Sequence, residues 1–132
     1  MGDAVERKTL LCVDDEATGL SVRKMILESQ GYRVFTAENG PDALTLFVRE
    51  TIDLVILDYA MPGQHGGILA GKMKALNSSV PIVMLSAYVD LPGEVLALVD
   101  ESVTKGEPPG VLLAAIATLL LKKPAVHATS VV

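Results

Sequence analysis

Two rhythms of apolar and polar positions alternate along this chain. Short unbroken apolar runs, "TLLCV" (9–13), "DLVIL" (53–57) and "PIVMLS" (81–86), predict strands buried on both faces. "YRVFTA" (32–37) adds a second strand in chain order, and "ESVT" (101–104) a short fifth. Helical segments fall between them. The first, 17–30, is stopped by Gly31; its apolar face is expected to be Val22, Ile26 and Ser29 with Met25 beside them, while Arg23, Lys24 and Glu28 point elsewhere. Gly19 costs up to ~1 kcal/mol in its first turn. After an Asn39-Gly40 turn, Pro41 opens a helix through about Arg49. "GGILAGKMKALN" (66–77) reads as a helix weakened by three glycines, and "LPGEVLALV" (91–99) holds a short helix from near Pro92. Pro108 and Pro109 announce a last helix, 109–123.

Five strands alternating with five helices predict an α/β fold, a doubly wound parallel sheet with helices on both faces. At 132 residues the chain is one domain by size. It divides into an N-terminal extension (1–8), the folded domain (9–123) and a flexible tail (124–132). In open sheets of this kind the active crevice lies beyond the carboxyl ends of the strands. Residues just after each strand therefore converge on one edge.

Composition narrows the function classes. The net charge of −5 without a Lys/Arg cluster argues against nucleic-acid binding. A single Cys12 in an apolar run and an N-terminus without an apolar signal region fit a cytoplasmic protein. The longest greasy stretch, 111–121, is too short for a bilayer of roughly 30 Å, so no membrane is expected.

The strand ends carry Asp14, Asp15 and Glu16 after the first strand, Asp58 after the third, Ser86 at the fourth and Lys105 after the fifth. Carboxylates gathered at one edge repel one another unless a cation sits among them, and Mg²⁺ suits such oxygen ligands. A carboxylate beside Mg²⁺, a hydroxyl and an ammonium group is equipped for phosphoryl transfer. The plainer assignments are helix caps or turn acids for the three aspartates, a turn cap for Ser86 and a solvated surface lysine for Lys105. His65, in a loop, and His127, in the tail, call for no role, and Cys12 reads as an inert buried side chain.

The ordered pieces "VDDE" (13–16), "AENGPDAL" (37–44), "DLVILDYAMPGQHGG" (53–67), "PIVMLSA" (81–87) and "TK" (104–105) make the chain resemble a response-regulator receiver domain of two-component signalling. The resemblance spans about residues 8 to 122 and implies a flavodoxin-like five-stranded sheet in the order 2-1-3-4-5. By position, Asp58 resembles the phospho-acceptor, Asp15 with Asp14 the Mg²⁺-binding pair, and the backbone carbonyl of Ala60 a further metal ligand. Ser86 matches the hydroxyl that reports phosphorylation and Lys105 the lysine that pairs with the phosphoryl group. Ala60 and Tyr88 occupy rate-tuning positions. The resemblance implies a sensor histidine kinase or phosphotransfer protein as donor, and a downstream protein target.

Three positions depart from the family pattern. Gly106 stands where a proline usually follows the lysine, which loosens the aim of Lys105. Ser102 takes the place of an aromatic switch residue. The segment between Ser86 and Lys105 is short, which trims the fourth helix. Phospho-acceptance is expected to survive, the hydroxyl–aromatic relay not. On the last helix, Leu112, Leu113, Ile116, Leu119 and Leu120 face the sheet, while Val111, Ala114, Ala117, Thr118 and Leu121 form an uncharged opposite side. That side is expected to meet a second copy or a protein partner, unless the tail covers it. The expectation is a stand-alone receiver that catalyses its own phosphorylation and slow dephosphorylation and is not a turnover enzyme on external substrates. The rival readings are a pseudo-receiver acting as a phosphorylation-independent binding module, and a Mg²⁺-dependent phosphatase, for which "DYA" lacks an acid–base partner.

Overall fold

A computed structural model describes residues 7–87 and 90–122. The strands are β1 (Thr9–Val13), β2 (Arg33–Ala37), β3 (Leu54–Asp58), β4 (Ile82–Ser86) and β5 (Glu101–Thr104). The helices are α1 (Ala17–Ser29), α2 (Gly40–Arg49), α3 (Gly66–Leu76), α4 (Gly93–Leu96) and α5 (Pro109–Lys122). All neighbouring strands run parallel, in the order β2-β1-β3-β4-β5. The sheet is the one the sequence predicts, with most element ends within a residue of expectation. No helix among the described residues is long and apolar enough to cross a membrane.

Strand alternation splits the core in two. Leu11, Val13, Val55, Leu57, Ile82 and Met84 point to one face, where Ala43 and Phe47 of α2, Leu69, Ala70 and Met73 of α3 and Val95 of α4 cover them. Leu10, Cys12, Leu54, Ile56, Val83, Leu85 and Val103 point to the other, under Leu20 and Leu27 of α1 and Ile116 and Leu120 of α5. Both faces are therefore sealed, and the sheet's carboxyl edge is left as the place where polar side chains gather. α5 buries the face expected of it, and Val111, Ala114, Ala117, Thr118 and Leu121 are all exposed.

Three local expectations need correction. In α1, Val22 and Met25 are 52% and 67% exposed, while Leu20 and Leu27 are buried. Arg23 lies between those two leucines at i+3 and i−4 spacing, so it faces inward rather than away. Asn39 does not make a turn with Gly40; its side chain accepts the Asp42 N–H at 2.8 Å and caps α2. The glycines of α3 are not simply a weakness. A Cβ on Gly66 would lie 2.5 Å from the Asp58 carbonyl oxygen, and one on Gly67 would lie 2.9 Å from Val95. Only glycine lets the start of α3 close on the end of β3. α1 ends at Gly31 (φ +94), with Tyr32 N–H bonded to the Leu27 carbonyl and Gly31 N–H to that of Glu28.

Candidate functional site

The sheet register brings the strand ends level with one another. Val13 pairs with Leu57, Asp58 with Leu85, and Ser86 with Thr104. Asp58 is the last residue of β3, not the residue after it, so β4 holds its backbone in place. Backbone bonds fix the neighbours too: Asp14 N–H to the Ala37 carbonyl, Tyr59 N–H to that of Leu85, and Lys105 N–H to that of Ser86 at 2.8 Å. The chain then leaves the edge through Pro62 and Gly63, whose φ of +79 favours glycine.

Asp14, Asp15 and Asp58 each offer a carboxylate oxygen within 4.8 Å of the others. Asp14 and Asp58 are buried, and Asp15 is exposed. Lys105 Nζ reaches over this group, 3.0 Å from Asp58 Oδ1 and 3.4 Å from Asp14 Oδ2. Gly106 beside it has not drawn the lysine away from the acids. Ser86 is buried at the same edge. Ala60 is exposed, two residues past Asp58, and Tyr88 lies outside the described residues, as does His127. His65 caps α3, its Nδ1 accepting the Gly67 N–H at 3.0 Å, and its ring lies 5.2 Å from that of Tyr59. Ser102 is exposed on β5 and pairs in register with Met84.

The two buried acids are pushed in opposite directions. Burial penalises the charge on Asp58, and repulsion from Asp14 and Asp15 adds to it, so its pKa is raised despite Lys105. Burial also works against Asp14, but the Glu16 N–H, Lys105 and Arg23 outweigh it and hold its pKa below the usual value. Asp58 Oδ1 lies near Lys105 Nζ as an ion pair, yet not in hydrogen-bond geometry; among the described residues this buried oxygen has no hydrogen-bond partner. A buried carboxylate oxygen paired with Lys105 but without a hydrogen bond, beside two more acids at metal-ligand spacing, fits a hard dication such as Mg²⁺. Arg23 is the site residue the sequence reading missed. It donates from Nη1 to Asp14 Oδ2 at 3.2 Å, and its spacing from Leu20 and Leu27 was the available signal.

Residues 10–117 match the family model of the response regulator receiver domain. The phosphate regulon transcriptional regulatory protein PhoB of Pseudomonas aeruginosa is 35% identical over 118 residues, covering 86% of this chain and 52% of its own length. Among solved structures, the CheY-like receiver domain protein of Methanospirillum hungatei superposes with a TM-score of 0.84 at 27% identity, over 91% of this chain and 98% of that one. The response regulator TrrA of Thermotoga maritima, solved in complex with Mg²⁺-BeF, is 36% identical with a TM-score of 0.78, over 85% and 98% of the two chains. TrrA has also been solved in complex with the histidine kinase ThkA, and there the TM-score is 0.80 at 36% identity, over 86% and 98%. The chain spans about half the length of the curated relatives it matches. The expectation of a receiver without an output domain draws no support from them.

Proposed function

Because this chain belongs to the response regulator receiver domain family, we propose that it accepts a phosphoryl group on Asp58 from a phosphohistidine of a sensor kinase or phosphotransfer protein. The observation that carries this reading is the buried Asp58 carboxylate, 3.0 Å from Lys105 and within 4.8 Å of two further acids. Asp14, Asp15, Asp58 and the Ala60 carbonyl would hold Mg²⁺, which supplies charge neutralisation for the phosphoryl oxygens. A carboxylate oxygen of Asp58 attacks phosphorus, the P–N bond to the imidazole breaks, and its electron pair leaves with the histidine. Lys105 pairs with the developing phosphoryl charge, and the Ser86 hydroxyl donates to it. Phosphorylation exchanges the single carboxylate charge of Asp58 for the larger charge of the acyl phosphate, which is why cations at the site, Lys105 and the dication, are needed. Water later cleaves the aspartyl phosphate, so the protein catalyses its own modification and slow recovery and does not turn over external substrates.

The signal passes on through altered protein contacts in the cytoplasm, where a reduced Cys12 belongs. The exposed, uncharged side of α5 is the surface proposed for association with a second copy or a target. The relay from Ser86 cannot end on an aromatic ring at 102, since Ser102 stands there. Incubation with Mg²⁺ and acetyl phosphate, read by intact mass, tests the proposal. A gain of one phosphoryl group, absent in Asp58→Asn, supports it. No gain with any small phosphodonor favours a phosphorylation-independent binding module. Rapid hydrolysis of added phosphate esters would point to a phosphatase.

A further inference from the structure

Arg23 has no part in the chemistry above, yet its guanidinium is paired with Asp14, one member of the acid cluster. Its side chain is only 18% exposed, and Asp14, its ion-pair partner, is 1% exposed. The same Nη1 lies 4.0 Å from Cys12 Sγ. Burial pushes the Cys12 thiol up to about 11, so it offers no charge at neutral pH. Asp14 is therefore the one anion the structure sets against this guanidinium among the described residues. The backbone leaves Arg23 little choice of direction, because Leu20 and Leu27 on either side of it are buried under the sheet. A guanidinium does not lose its proton in a protein, so the charge is permanent.

Asp14 is heavily engaged. Its Oδ1 accepts the Glu16 N–H at 3.0 Å, and its Oδ2 receives both Arg23 and Lys105. Three carboxylates against two cations leave the cluster with a net charge of 3 − 2 = 1, negative. Without Arg23 the same sum is 3 − 1 = 2, twice the charge that draws a dication.

We propose that Arg23 is a built-in competitor of Mg²⁺, a fixed cation on Asp14 Oδ2 that holds the acid cluster together without metal and weakens its hold on a dication. The inference rests on the Mg²⁺ reading of this site. Arg23 acts through Asp14 and is a positioning residue. It lowers the cost of gathering three acids in a metal-free fold, and the same charge opposes the incoming cation. The site is thereby set to release and rebind its metal.

Isothermal titration calorimetry with MgCl₂ on the full chain tests this without any phosphotransfer. Arg23→Met keeps the length and removes the charge, and it should bind Mg²⁺ at least about tenfold more tightly than wild type, the lower bound set by a largely solvent-screened unit charge. Arg23→Lys keeps the charge and should restore the wild-type affinity. Metal-free Arg23→Met should melt lower than wild type, with the gap closing as Mg²⁺ is added. Should Arg23→Met not fold without metal, Arg23→Gln takes its place with the same expectation. A neutral variant that folds and binds Mg²⁺ no more tightly than wild type overturns the role of Arg23. A wild-type protein that binds no Mg²⁺ overturns the metal reading itself, so the two failures are distinct.

Discussion

Replacing Asp58 by Asn should make the protein more stable while abolishing its proposed function. The side chain is 2% exposed, so its charge is little screened. Asp14 and Asp15 oxygens lie within 4.8 Å, and at an effective dielectric of 20 each repels it by ~3.5 kcal/mol. Lys105 at 3.0 Å returns ~5.5 kcal/mol on the same scale. These charges come close to cancelling, and burial, the largest cause of the raised pKa, sets the balance against the carboxylate by about 1–2 kcal/mol, which Asn removes while keeping the shape and a hydrogen-bonding group. For a chain of this size that is a rise in Tm of about 4–8 °C. The pH dependence has a definite sign. A carboxylate with a raised folded pKa keeps its proton to higher pH folded than unfolded, so wild-type stability falls as pH rises from 3.8 through the raised value. The advantage of Asp58→Asn should thus be full above that value and vanish as pH is lowered toward 3.8. Thermal melts followed by circular dichroism, metal-free and across this range, read it directly. An unchanged or lower Tm at neutral pH would refute the claim that the acids are held together against their own repulsion.

The neighbouring acid should behave in the opposite way: Asp14→Asn loses charged hydrogen bonds to Glu16 N–H, Arg23 and Lys105, and should cost about 1–3 kcal/mol in metal-free denaturant melts. Its lowered pKa means that contribution is present above 3.8 and disappears as pH falls through the folded value. Free Mg²⁺ at ten times its Kd should stabilise wild type by ~1.4 kcal/mol in thermal melts, and Asp58→Asn by less. Gly66→Ala places a methyl group 2.5 Å from the Asp58 carbonyl oxygen and should cost about 1–3 kcal/mol, seen as a lower urea midpoint. Leu121, 81% exposed on the outer side of α5, tests association: Leu121→Asp should leave the Tm nearly unchanged yet reduce the mass found by light scattering at high concentration.

The sheet was legible because its central strands β1, β3 and β4 bury both faces, so their apolar runs need no partner to be recognised. The site followed from where those runs stop, which is why Asp14, Asp15, Asp58, Ser86 and Lys105 could be named together. α1 was misread for a physical reason. Val22, Met25 and Ile26 outnumber Leu20 and Leu27, and hydrophobic counting cannot tell which apolar side chains the sheet will cover. The charge of Arg23 argues for the outer side of α1, though its stem can pass along the core and deliver its head to Asp14. The glycines of α3 were priced by helix propensity alone. Their use depends on how closely that helix approaches β3, a distance no local pattern encodes.

The most direct test of the phospho-acceptor is chemical capture of the modified residue. Expose the protein to Mg²⁺ and phosphoramidate, reduce it with borohydride, and sequence the peptides by mass spectrometry. An acyl phosphate is reduced to the alcohol, so homoserine should appear at position 58 and nowhere else. Homoserine at position 14 or 15 with Asp58 intact, or none at all after full exposure to the donor, would contradict the assignment.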